Sequence, residues 1–137
     1  MTVQSTQEAL DDPMRTLLPP WSAEGVLAPM ESHYGLNEYQ ADAMRTAGQS
    51  DLVCAALGLA GESGEFADAI KKFRYHGHQL DYAHLIEEVG DVLWYCALAA
   101  RELGVTLEDV ARENVLKLAR RYPAGFDSQR SIHRNAV

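Results

Sequence analysis

Residues Ala60 to Lys72 read AGESGEFADAIKK, and Glu87 to Tyr95, after a polar interval, read EEVGDVLWY. Glu62 and Glu65 stand three apart, as do Glu88 and Asp91. Residues at that spacing share one face of an α-helix, so each stretch presents a pair of carboxylates. Either pair alone reads first as a solvated surface, where Glu and Asp normally lie. Two features argue otherwise. Leu57, Leu59 and Ala60 precede the first pair, and Val89, Val92 and Leu93 run through the second. Acids in such apolar surroundings are unfavourable unless paired or metal-bound. Gly58, Gly61 and Gly64 also recur every third residue in what otherwise reads as helix. Each glycine costs about 1 kcal/mol there relative to Ala, which points to the close approach of another helix or of a ligand. Four carboxylates brought together by two helices repel one another and need cations. An all-oxygen ligand set favours a hard divalent ion such as Mg²⁺, with Mn²⁺ as a substitute.

Outward from these stretches the chain reads as helices. Asn37 is the candidate N-cap of a helix running through Arg45 and ending near Gly48. Asp51 is the cap of a second, from Leu52 to about Tyr75. A polar loop, His76 to Asp81, separates it from a third helix, Tyr82 to Leu103, which stops at Gly104. Thr106 with Asp109 resembles a capping box and opens a fourth helix to Arg121 or Tyr122, ended by Pro123 and Gly125. No segment alternates with period two, so no strand is predicted. Four amphipathic helices with short connections make a bundle, and the third shows the broadest apolar face: Leu85, Ile86, Val89, Val92, Leu93 and Cys96. Such a small body of long amphipathic helices is expected to share its core with further copies. Residues 1–35 hold four of the five prolines and read as an irregular arm, with at most a short helix near Thr6 to Leu10. In that arm Trp21, Val26, Leu27 and Met30 are candidates to pack on the body, which spans residues 36–137.

The 137 residues make one body with one core by the length prior. A net charge of −8 is the wrong sign for a general nucleic-acid binder. It is compatible with an enzyme that meets an anionic substrate through metal ions. Cys54 and Cys96 lack metal-ligand spacing and read as buried free thiols. With no signal-like start and no apolar run long enough to cross a bilayer, a cytoplasmic protein without membrane partners is expected.

Three further groups of polar residues are singled out. Asn114, Lys117 and Arg121 fall on one face of the fourth helix, where they either bind phosphate oxygens or form a solvated basic face that complements the helix dipole. Lys71 and Lys72 carry the same two readings. Tyr95 follows Asp91 by four and shares the acidic face, where it either stacks on a base or joins the core; Trp94 lies off that line and is expected to pack. His76 and His78, with His84 soon after, lack carboxylate or thiolate partners at zinc-site spacing and read as an exposed loop.

Taken in order, Leu59-Ala60-Gly61-Glu62-Ser63-Gly64-Glu65, Ile70-Lys71-Lys72, the Glu87 to Tyr95 stretch, then Asn114, Lys117-Leu118 and Arg121-Tyr122-Pro123 resemble the MazG-type nucleotide pyrophosphohydrolases of the all-α NTP pyrophosphatase superfamily. The resemblance covers roughly Leu36 to Arg134, including the Glu38-Tyr39-Gln40 segment, and leaves the first 35 residues without a counterpart. It implies an oligomeric four-helix-bundle-type fold, a dimer or tetramer of identical chains. It also implies Mg²⁺-dependent hydrolysis of a nucleoside triphosphate between the α and β phosphates, giving a monophosphate and pyrophosphate. Glu62, Glu65, Glu88 and Asp91 would hold the metal, and Glu62 or Glu65 would also act on the attacking water. Lys72, Tyr95, Asn114, Lys117 and Arg121 would bind the substrate. The competing readings are a non-catalytic nucleotide-binding assembly module and a phosphoribosyl-ATP pyrophosphatase. A di-iron bundle is disfavoured because the chain contains no Glu-x-x-His motif.

Overall fold

The computed structural model describes residues 34–133. The expectations for the arm, its short helix and the packing of Trp21, Val26, Leu27 and Met30 lie outside those residues. The described residues form five helices in order: α1 Leu36–Met44, α2 Leu52–His76, α3 Tyr82–Glu102, α4 Leu107–Arg121 and α5 Ser128–Ile132. No strand occurs among the described residues; the nearest approach is an isolated bridge between Pro123 and Gly125.

Local chemistry sets most of the boundaries. The Asp51 side chain accepts from the backbone N–H of Cys54, 2.8 Å away, at the start of α2. Asp81 does the same for His84 at the start of α3, 3.1 Å away. Thr106 and Asp109 form a full capping box at the start of α4. Each such cap is worth about 1 kcal/mol. Gly77 and Gly104 end α2 and α3 with φ near +73°, a left-handed conformation in which glycine has no Cβ to clash.

Asn37 is a correction. The N-cap of α1 is Gly35, which makes no side-chain cap. Asn37 lies inside the helix and donates from Nδ2 to Glu108 of α4, 2.7 Å away. A partner 71 residues along the chain has taken the amide that local spacing assigned to a cap. The loop after α2 begins at Gly77, since His76 is still helical, and α5 adds a short helix, capped by Asp127, that the sequence reading did not include.

Helix α3 is the centre: α2 packs along it, and α1 and α4 pack on it and on each other. Among the described residues the core is small and rich in alanine. Ala47, Ala55 and Leu98 form one buried cluster, with Met44, Trp94 and Tyr95 against it. Ala97, Ala100 and Leu107 form another, flanked by Tyr39, Met44 and Leu93. Alanines let the helix axes approach closely, so the deepest burial falls in the C-terminal half of α3. Val89, by contrast, is 54% exposed, although the apolar pattern of α3 included it.

Gln40 fastens the three helices. Its Nε2 donates to the carbonyls of Ala97 and Val105, 3.3 and 3.4 Å away, and its Oε1 accepts the N–H of Leu107 at 2.8 Å. That last N–H belongs to the first turn of α4 and has no partner within its own helix. Trp94 adds a second tie, its indole donating to the Ala43 carbonyl at 3.1 Å and to Thr46 Oγ1 at 2.9 Å.

Candidate metal centre

Helix α2 runs through the first acidic pair and α3 through the second, and the contact between these helices brings Glu62, Glu65 and Glu88 together. One carboxylate oxygen from each lies within 4.8 Å of the others. Glu88 is 5% exposed, and its Oε2 has no hydrogen-bond donor among the described residues. A buried acceptor without a donor is unfavourable and rare in folded proteins, and beside two further carboxylates it calls for a cation. Burial pushes the Glu62 carboxyl above its ordinary 4.5, and the charges of Glu65, Asp91 and Glu88 push it the same way. The donor set is entirely carboxylate oxygen, which fits a hard divalent ion.

Asp91 stands apart from this trio. It is exposed, one turn beyond Glu88, yet near enough for its charge to act on Glu62 and on the Tyr39 phenol. Residues three apart on a helix point about 60° from each other, so one member of a pair can enter a pocket while the other stays at its rim.

A cleft of about 570 Å³ opens beside the trio, lined by Gly61, Gly64, Glu65, Lys72, His78 and His84 among others. Its size suits a small organic ligand. The three glycines of α2 divide here. A Cβ at Gly58 would collide with the ring of Tyr95, so at Gly58 a side chain of α3 lies directly on the α2 backbone. A Cβ at Gly61 or Gly64 would meet nothing within 4 Å, and both face the open cleft.

The other singled-out residues are distributed as follows. Lys72 lines the same cleft as Glu65 and pairs with Asp68, Nζ to Oδ2 2.7 Å; Lys71 pairs with Asp68 as well. Tyr95 is partly buried, lying on Gly58 and edge-on to Trp94 with ring centroids 4.9 Å apart. Asn114 and Lys117 line a second cleft of about 760 Å³ beside Leu93 and Cys96, and the two clefts share no lining residue. Arg121 ends α4 with its guanidinium 6.0 Å from the Tyr122 ring. Cys54 and Cys96 are unpaired and partly buried, and burial raises the Cys96 thiol. His76 and His78 are exposed.

His84 reads in the sequence with the loop histidines, yet it lies in α3 with its Nδ1 3.3 Å from Oε1 of Glu88. The signal was present in the sequence: the two are four apart, the spacing at which helical side chains meet.

Fold and site together define an all-α protein whose central helix pair carries an acidic group able to hold a metal ion. The family model for the MazG nucleotide pyrophosphohydrolase domain matches residues 54–126, more than half of the chain, and the chain belongs to that family. The matched stretch holds both acidic pairs, Lys72, Tyr95, Asn114, Lys117 and Arg121, and starts after α1. The chain is also similar to the Gene 37 protein of Mycobacterium phage L5, 38% identical over 73 residues, which is 50% of this chain and 64% of that one. The similarity thus spans less than two thirds of that relative, whose name states no activity. No solved structure matches the chain. No helix among the described residues is long and apolar enough to cross a membrane.

Proposed function

We propose that this protein hydrolyses nucleoside triphosphates at the α–β phosphoanhydride bond, in a reaction that depends on Mg²⁺ or Mn²⁺ and yields a monophosphate and pyrophosphate. The observation that carries this reading is buried Glu88, with an Oε2 that has no donor among the described residues, grouped with Glu62 and Glu65. Family membership supplies the reaction class.

In this reading Glu62, Glu65 and Glu88 hold the cation, and Asp91 completes the set from the rim. A divalent ion held by these residues would supply positive charge against the triphosphate and Lewis acidity. Phosphoryl transfer asks the protein mainly for positioning and charge compensation. Glu62 or Glu65 orients the attacking water and takes its proton. Lys72, on the wall of the cleft with Glu65, can release Asp68 to Lys71 alone and reach a phosphate oxygen. Asn114, Lys117 and Arg121 are proposed to contact the phosphates or sugar.

We also propose that the protein works as a homo-oligomer, a dimer or tetramer. Val53, Leu57, Val89 and Val115 are each more than half exposed, and a protomer with so small a core leaves these apolar positions for a second copy to cover. In that assembly a neighbouring copy can bring its Asn114 and Lys117 face toward an acidic cradle.

The test is a panel of ribo- and deoxyribonucleoside triphosphates with Mg²⁺, scored for pyrophosphate against orthophosphate. Pyrophosphate from at least one substrate is expected, while orthophosphate as the sole product moves the protein to another phosphatase class. Light scattering on the eluting protein measures the assembly, and a monodisperse monomer at working concentration removes the oligomer proposal.

A further inference from the structure

Glu88 is held differently at its two oxygens. Oε2 is buried without a donor among the described residues, whereas Oε1 lies 3.3 Å from Nδ1 of His84, and the residue contributes one oxygen to the acidic trio. The side chains contrast in exposure, 7% for Glu88 and 45% for His84. His84 is itself fixed: its backbone N–H donates to the Asp81 cap, and the residue lines the cleft beside Glu65 and Gly64. A carboxylate turns freely about its last torsion unless one oxygen is engaged. A ligand that must present one oxygen to a cation gains from a donor on the other, as outer-shell partners provide around metal sites generally.

We propose that His84 is a positioning residue for the metal centre, donating from Nδ1 to Oε1 of Glu88 and thereby aiming Oε2 at the cation. This rests on the metal-dependent reading above. The competing explanation is an ordinary helical pair four residues apart, which steadies α3 and does nothing for metal. The two differ in what they move: a helical pair changes stability alone, and a positioning donor changes cation affinity even without substrate.

The experiment is a titration of the full-length protein with Mn²⁺ without nucleotide, free Mn²⁺ being read by electron paramagnetic resonance, alongside melting in chelator. His84→Ala is expected to weaken Mn²⁺ binding about tenfold or more, the range typical of lost outer-shell partners. His84→Asn places its amide nitrogen where Nδ1 stood and is expected to recover most of that loss. His84→Gln places its amide nitrogen where Nε2 stood and is expected to resemble His84→Ala. The Asn and Gln variants keep a polar side chain, so their difference decides the question even where the alanine variant folds poorly. Wild-type affinity in His84→Ala, or no difference between the Asn and Gln variants, overturns the positioning role alone. A wild-type protein that binds no Mn²⁺ overturns the metal reading and this inference with it.

Discussion

Glu62 and Asp68 are carboxylates six residues apart on the same helix, and their surroundings drive them in opposite directions. Asp68 receives Lys71 and Lys72, whose ammonium groups hold its carboxyl down at about 2. Glu62 meets burial and three further acids, and its carboxyl is pushed up. A carboxylate answered by lysines on its own helix is electrostatically complete, and its exposure keeps the energy small. A carboxylate answered only by other carboxylates is incomplete, and either a proton or a bound cation can supply the missing charge. Acid content along α2 is similar at both places; the supply of counter-charge marks one as a site and the other as a surface.

The sharpest way to break this contrast is to neutralise one acid on each side. Glu88→Gln removes a ligand of the cradle and is expected to lower pyrophosphate release at least about 100-fold, since a metal's stabilisation of developing charge is worth several kcal/mol. In chelator the same variant is expected to melt at or above the wild-type temperature, because like charges near Glu62 have been reduced. Loss of activity together with a lower melting temperature would instead assign Glu88 to the core. Asp68→Asn is expected to change turnover only a few-fold, through Lys72.

Cation addition comes next in size. Binding to the folded state alone stabilises by about 2.7 kcal/mol at one hundred times the dissociation constant. Mg²⁺ or Mn²⁺ is therefore expected to raise the melting temperature of the wild type by many degrees, that of Asp68→Asn equally, and that of Glu88→Gln far less. Equal shifts in all three proteins would place the cation elsewhere.

The glycines of α2 allow the same contrast to be read in packing. Gly58→Ala drives a methyl into the Tyr95 ring and is expected to destabilise by about 1–3 kcal/mol in denaturant titrations. Gly64→Ala meets open space and is expected to stabilise the helix by up to about 1 kcal/mol while narrowing the cleft, so that KM rises. Stabilisation by Gly58→Ala would mean that α3 does not press on α2 there.

What could be read from the chain beforehand follows the range of the interactions. The Asp51 cap, the Thr106 and Asp109 capping box and the stop at Gly104 involve neighbours within a turn, and each is where the spacing put it. The helix pair that carries the acids was legible from periodicity alone. The use of Asn37 was not, because its partner Glu108 comes from a distant helix. Nor could spacing tell that Glu88 sinks to 5% exposure while Asp91 stays outside the trio, since that depends on how α3 is rotated against α2. The triplet of glycines read as one feature and divides in the structure into a packing contact at Gly58 and an open cleft wall at Gly61 and Gly64.

The smallest expected effect is the pH dependence of the metal-free protein, and it tests the contrast by sign. The folded chain keeps a proton on Glu62 above the ordinary 4.5, so between 4.5 and the raised value it binds more protons than the unfolded chain. That contribution is full below 4.5 and is lost as pH rises through the raised value. Asp68 behaves inversely: its contribution is full above 3.8 and is lost as pH falls toward about 2. In chelator, Glu62→Gln is expected to flatten the decline in melting temperature on the upper side of pH 4.5. Asp68→Asn is expected to flatten the loss below pH 3.8 and leave the upper limb alone. Salt should weaken the Asp68 limb more, because the Asp68 pairs are exposed and screened while the Glu62 limb arises first from burial. Melting curves at two ionic strengths measure this, and identical limbs for the two variants would mean that both acids lie in ordinary solvent and that α2 carries no incomplete site.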